Sequence, residues 1–213
     1  MTEFPVGPRG LELIRCSTSA ELRSARQFRN QVFLAKGGIE FDSLQERRRD
    51  ESSHVLLLTH QGKPRATARV QSYPASGALA GIAPDLPDFG ADSEVGRIAA
   101  LRSADSVADS LLLLVLGAMW LLTHTRHLRY LAYCHPKLTP LYEVVGARDT
   151  GVTICVEGRS DPYRVLVGEY GRCVEAGSRQ LGHAGFSQLD AVAAVRWKYG
   201  HFWDDDRIVE SAS

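Results

Sequence analysis

An α+β domain built on a central mixed sheet is the fold class the sequence predicts, and three observations lead there. Short β-rich runs bounded by turn residues alternate with segments of helical periodicity, in the order β-α-β-β-β-α-β-α-β-β-α. Two of those runs, His54 to Thr59 and Arg65 to Ser72, flank Gln61-Gly62-Lys63-Pro64, the pattern of an antiparallel hairpin. The 213 residues are 44% hydrophobic, enough to bury a core, and contain no internal repeat or interdomain linker, so residues 1–213 are expected to form one domain.

Each element has a local reason. Leu11 to Cys16 alternates as a strand. Ser17-Thr18-Ser19 followed by Glu21 supplies capping hydroxyls for a helix expected to reach Ala35 and stop at Gly37-Gly38. Phe28, Val32 and Ala35 form its apolar face, with Arg29 and Phe33 one position further round. Ile39 to Ser53 is polar and carries Arg47-Arg48-Arg49, which predicts a loop with a solvated charge run. After the hairpin, Tyr73 to Asp92 is rich in Pro, Gly and Asp; an irregular connection of that length is expected to be a functional cover. Glu94 to Leu101 reads as a strand, Ser103 or Ser106 as the cap of a long apolar helix ending near His127, and Tyr130 to Cys134 as a short buried strand. Thr139-Pro140 opens another helix, which Gly146 closes. Val152 to Glu157 and Tyr163 to Val167 are expected to pair about Gly158 to Pro162. Gly168 to Gly185 is expected to be loop, and Ser187 to Phe202 a final helix.

Composition narrows the function classes. The 25 basic residues are scattered among 25 acidic ones, which argues against nucleic acid as the main ligand. Cys16, Cys134, Cys155 and Cys173 are too far apart for a Cys-x-x-Cys metal or redox site and read as structural thiols. No metal is expected. The apolar run Leu111 to Leu122 is short of the ~20 residues a bilayer requires and is expected to be a buried helix rather than an integral membrane segment. The opening Met1-Thr2-Glu3-Phe4-Pro5 lacks the pattern of a secretory signal, so the cytoplasm is the expected compartment.

The chemistry-bearing residues fall in a characteristic order. Arg29 and Phe33 form an Arg-x-x-x-Phe pattern on the first helix, Asp50 precedes the hairpin, Arg69 lies within Ala66-Thr67-Ala68-Arg69-Val70, and Glu94 and Arg97 share one strand. With the element order, this set resembles the GNAT acyltransferase superfamily. Within it, roughly Arg26 to Leu101 is similar to the acyl-homoserine-lactone synthases and the N-acyl amino acid synthases. Cys134-His135-Pro136 and Leu141 to Ala147 look more like the latter and general GNAT enzymes. The resemblance implies a V-shaped cleft between the fourth and fifth strands, an acyl thioester as co-substrate with no tightly bound cofactor, an acyl carrier protein as partner and a small amine as acceptor. Two departures bear on the amine pocket. Ile39 stands where the lactone synthases have Trp, and their Asp-x-x-Asp pair is reduced to Asp50, with Arg47 at the other place and Asp42 as a possible substitute in a lengthened loop.

Aminolysis of a thioester needs a neutral amine, a polarised carbonyl and a protonated leaving thiol. Glu94 is the candidate base, or else the structural partner of Arg97. Residues i and i+3 on a strand face opposite ways, so a direct pair requires a bulge, expected at Gly96, which would free N–H groups near Ile98 and Ala99 for the carbonyl. Tyr142 is the candidate acid for the thiolate, or a core tyrosine, and His135 a candidate proton shuttle or a solvent-facing residue. Arg29, Arg69 and Arg97 are expected to form an internal network with Asp50 and Glu94, part structural and part substrate-binding.

The segment Arg102 to Val107 has no glycine for a pyrophosphate cradle, which favours a carrier protein over acyl-CoA as donor. Four readings stand: an N-acyl amino acid synthase, a lactone (autoinducer) synthase using S-adenosylmethionine, an acetyl-CoA-dependent GNAT, and a non-catalytic acyl-binding domain.

Overall fold

The computed structural model describes residues 11–37, 43–101, 106–156 and 161–183. Seven strands form one sheet: β1 (Leu11–Arg15), β2 (His54–His60), β3 (Lys63–Ser72), β4 (Ser93–Ala100), β5 (Arg129–Cys134), β6 (Arg148–Ile154) and β7 (Tyr163–Glu169). Their spatial order is β1-β2-β3-β4-β5-β7-β6. Among the described residues only β4 and β5 run parallel and the other pairings are antiparallel, which makes the sheet mixed, as expected.

The helices divide between the two faces. On one lie α4 (Ser106–His124) and α6 (Tyr170–His183), covering a core that includes Leu56, Ala68, Val70, Val95, Leu113 and Leu116. On the other, α1 (Ser19–Gly37) meets β2, β3 and β4, with Phe28 and Val32 against Ala99. β3 shows how the sequence sorts these faces. Ala66, Ala68 and Val70 point to the α4 side, whereas Thr67, Arg69 and Gln71 alternate onto the α1 side and are nevertheless buried. The polar face of the sheet is therefore an interior, and its charges must find partners there.

Two segments expected to be loops are helical. Within Ile39 to Ser53, α2 (Leu44–Glu51) starts at Ser43, whose hydroxyl accepts from Glu46 N at 3.2 Å. Its inward residues are Glu46 and Asp50, so the helix shows no apolar period. Arg47 and Arg48 are exposed, as a solvated run requires, but Arg49 is half-buried and bridges Glu46 at 3.3 Å. Within Gly168 to Gly185, α6 buries Tyr170, Cys173, Gly177 and Leu181 at helical spacing. Gly177 is the reason this pattern is hard to read. A Cβ there would collide with Val115 Cγ2, so close approach to α4 demands the residue that otherwise signals a loop.

Smaller differences follow the same logic. The cover Tyr73 to Asp92 holds one short helix, α3 (Ala78–Ile82). The strand expected from Val152 begins four residues earlier, at Arg148, because β6 pairs along β7 to Val167. Thr18 and Glu21 cap α1 reciprocally, Glu21 N bonding Thr18 Oγ1 at 3.3 Å and Thr18 N bonding Glu21 Oε2 at 3.1 Å. A 3-10 turn, Pro136–Leu138, leads into α5 (Thr139–Val144), and Gly146 follows with φ +84°. Gly38, Ile39, Asp42, Ser103, most of the Arg102 to Val107 segment, Gly158 to Ser160 and the helix expected from Ser187 to Phe202 lie outside the described residues. No helix of the described residues is long and apolar enough to cross a membrane.

Candidate active site

The parallel ladder between β4 and β5 is short. Ser93, Glu94 and Val95 pair with Tyr130, Leu131 and Ala132, and no pairing continues beyond them. The joined end is tied by side chains: Asp92 Oδ2 accepts from Leu128 N at 2.8 Å and Arg129 N at 3.2 Å, and Ser93 Oγ donates to Arg129 O at 2.9 Å. Past Val95 the strands part around a cleft of about 130 Å³. Gly96, Arg97 and Ile98 line one wall, Tyr133, Cys134 and Tyr142 the other, and Phe33 of α1 reaches in from the side.

A bulge in β4 decides which side chains face this cleft. Arg69 pairs with Gly96 and Thr67 with Ala99, so Arg97 and Ile98 together stand opposite Ala68. The expected bulge is present, one residue beyond Gly96. Arg97 adopts φ +55°, a left-handed conformation that a non-glycine residue holds only under constraint. The extra residue reverses the alternation. Arg97 comes onto the face of Glu94, Ile98 packs toward the α4 core, and Ala99 is buried against α1, away from the cleft lining.

Arg97 does not pair with Glu94. Its Nε and Nη2 donate to Glu46 Oε2 and Oε1 at 3.2 and 3.0 Å, a two-pronged grip on α2, and Nη1 lies 3.4 Å from the Tyr133 hydroxyl. Arg69 Nη1 also donates to Glu46 Oε2, at 2.8 Å, and to Asp50 Oδ1 at 3.3 Å. Arg29, fully buried, donates from Nη2 to Asp50 Oδ2 at 2.6 Å, while its Nε and Nη1 have no partner among the described residues. Burial alone would raise the Glu46 pKa, but the Arg97 and Arg69 guanidinium groups outweigh it and hold the carboxyl at about 2.

Glu46 is the residue sequence reasoning missed. The resemblance put the second acid of the pair at Arg47; the structure supplies it one residue earlier, because carboxylates four apart on a helix share a face. The signal was present in Ser43-x-x-Glu46, a helix-start pattern followed by Asp50.

Glu94 stands apart from this network and is 2% exposed. Its Oε2 accepts from Leu79 N, in α3, at 2.7 Å. Gly77 lies so close that an added Cβ would sit 2.5 Å from the same oxygen. Oε1 has no hydrogen bond among the described residues and lies toward Gly96 of the cleft wall, 3.8 Å from where a Cβ there would stand. Burial raises the Glu94 pKa, opposed by the Leu79 amide and the nearby arginines. The cover segment thus supplies the amide that orients one carboxylate oxygen.

The remaining candidates are placed as follows. Tyr142 is buried on the α4 side of the sheet, its hydroxyl without a hydrogen bond among the described residues, and burial raises its pKa. It borders both the cleft and a small apolar gap of about 20 Å³ lined by Val70, Val95, Leu121 and Tyr130. His135 has both ring nitrogens engaged. Nδ1 accepts from Lys137 N at 3.2 Å and Nε2 faces Asp161 Oδ2 at 3.1 Å, which disfavours a shuttle role. Cys16, Cys134 and Cys173 are buried and Cys155 is exposed, all as free thiols.

No protein-family model and no curated relative matches the chain. Solved structures do. The CoA-dependent acyl-homoserine lactone synthase BjaI matches 90% of this chain and 95% of its own, with TM-score 0.68 and 14% identity. FeeM, an N-acyl amino acid synthase from uncultured soil microbes, matches 76% of this chain and 92% of its own, with TM-score 0.61 and 16% identity. The acyl-homoserine lactone synthase LasI matches 75% and 89%, with TM-score 0.59 and 15% identity. With the mixed sheet parted between its fourth and fifth strands, these matches show that the chain has the GNAT-like fold.

Proposed function

We propose that the protein is an N-acyltransferase that moves an acyl chain from the thioester of an acyl carrier protein to the amine of an amino acid or related small molecule. The observation that carries this reading is Glu94, a buried carboxylate beside the cleft with one oxygen oriented by Leu79 N and the other left toward the opening. Such a group can take a proton from an attacking amine, and its raised pKa makes it a better base than an ordinary glutamate. Arg97 and Ile98 line the wall where the thioester carbonyl would lie, and the bulge that exposes them is rigidly held by Glu46. Arg29 is fully buried behind the cleft wall and would serve the acceptor pocket by anchoring Asp50. Arg69 and Asp50 hold that guanidinium in place, and Phe33 lines the cleft.

The apolar side supports a chain longer than acetyl. The small apolar gap in the α4 core shares Tyr142 with the cleft, and an acyl tail would take that direction. Each buried methylene is worth about 0.8 kcal/mol, so a tail only four carbons longer than acetyl would be strongly preferred. BjaI, with its CoA-dependent chemistry, keeps acyl-CoA as the competing donor.

The test is purified protein with medium- and long-chain acyl carrier protein, the corresponding acyl-CoA and acetyl-CoA, each with a mixture of amino acids and with S-adenosylmethionine, read by mass spectrometry. Long-chain N-acyl amino acids made from the carrier protein are the expected result. Acyl lactones would replace this reading with the autoinducer one, equal turnover of acetyl-CoA would overturn the donor, and no new amide would refute acyl transfer.

A further inference from the structure

Tyr142 and Glu94 lie on opposite faces of the sheet, Tyr142 with the α4 core and Glu94 beneath α3. A second tyrosine lies on the Glu94 face. Along β5, Tyr130, Ala132 and Cys134 join the α4 core, so Leu131 and Tyr133 alternate to the other side. Tyr133 lines the cleft, its ring 6.1 Å from that of Tyr163, and its oxygen lies against Arg97 Nη1 at 3.4 Å. That oxygen is engaged as an acceptor, while its own proton has no acceptor among the described residues.

We infer that Tyr133 is the proton donor to the departing sulfur in the acyl transfer, with Arg97 as its positioning residue. This rests on the acyltransfer reading. A phenol whose oxygen accepts from a guanidinium is polarised to give up its proton, and Arg97 is locked by its two bonds to Glu46, so the hydroxyl is held where the thioester must pass. The step balances. The amine nitrogen bonds the thioester carbon, and Glu94 takes one amine proton. As the C–S bond breaks with its electron pair on sulfur, Tyr133 donates its proton to give the free thiol. The proton on Glu94 then returns to Tyr133 through solvent in the cleft, leaving amide, thiol and the original enzyme. Burial keeps the phenol protonated well above neutral pH, as a donor requires.

The test uses leaving-group dependence. Wild type and Tyr133→Phe are compared on octanoyl-N-acetylcysteamine, whose alkyl thiolate needs a proton, and on S-phenyl thiooctanoate, whose aryl thiolate does not, with a mixture of amino acids as acceptor. The expected result is a loss of about 10²-fold in kcat on the alkyl thioester and little change on the aryl one. Equal losses on both, or no loss on either, overturn the assignment while leaving acyl transfer intact. Wild type inactive on both small thioesters and on octanoyl acyl carrier protein overturns the acyltransfer reading and this one with it. Should the Phe variant melt lower than the parent, difluorotyrosine at position 133 keeps the shape and acidifies the phenol. The alkaline limb of kcat must then move to lower pH; an unmoved limb overturns the proposal.

Discussion

Replacing Glu46 by Gln tests the charge network at its centre. The carboxylate touches Arg69 at 2.8 Å and Arg97 at 3.0 Å and is 6% exposed, so the substitution keeps the shape but removes the counter-charge of two buried guanidinium groups. Its pKa falls from 4.5 to about 2 on folding. That depression corresponds to roughly 3 kcal/mol at neutral pH, the lower end of the 3–5 kcal/mol expected for breaking a buried pair. For a chain of this size that is a fall in Tm of about 6–12 °C. The sign of the pH dependence follows from the depressed pKa. The stabilisation is fully present above the unfolded value of 4.5 and is lost as pH falls toward 2. The gap between wild type and Glu46→Gln should therefore be constant from neutral pH down to about 5 and shrink to less than half by about pH 3. Thermal melts of both proteins by circular dichroism across that range measure it. Equal melting at pH 7, or a gap independent of pH, would refute the reasoning, because either result means Glu46 is not the charge that holds Arg69 and Arg97.

Other expectations follow from single contacts. Glu94→Gln should keep the melting temperature within a few degrees yet slow amide formation by about 10²-fold or more, measured at saturating substrates. In the parent, kcat/KM should fall as pH drops through the raised pKa of this carboxyl, and an acid limb at an ordinary glutamate value would contradict its role as base. Gly177→Ala should destabilise by about 1–3 kcal/mol in chemical denaturation, since the new methyl meets Val115 across the α4 and α6 contact; a stabilised variant would show that the helices can part without cost.

Much of this architecture was legible because it is written in local signals. The hairpin turn at Gln61 and Gly62, with φ +50° and +74°, needs residues that tolerate left-handed backbone. Thr18 and Glu21 announce α1, the alternation of Ala66 to Gln71 announces a two-faced strand, and the run through Leu116 announces a helix buried in the core. The parity of Glu94 and Arg97 pointed to a bulge near Gly96, and one lies at Arg97 and Ile98, although Arg97 pairs with Glu46 instead.

What tertiary structure alone decided is where charge replaces hydrophobicity inside the protein. α2 has no apolar face because its buried residues are carboxylates answering arginines that lie far away in the chain, Arg29, Arg69 and Arg97. Hydrophobic period detects burial only when the partner surface is apolar, so the helix-start pattern at Ser43 could mark α2 but not the burial of Glu46, which the sheet decided by bringing those arginines beneath it. α6 was hidden for the converse reason: Gly177 serves close packing against Val115, and a glycine reads as a breaker until its neighbour is known. Arg97 was recognised, yet whether it would grip Glu94 or Glu46 depended on a left-handed backbone at a single residue, a choice made by the contacts of α2 and β5 rather than by any preference of the strand itself.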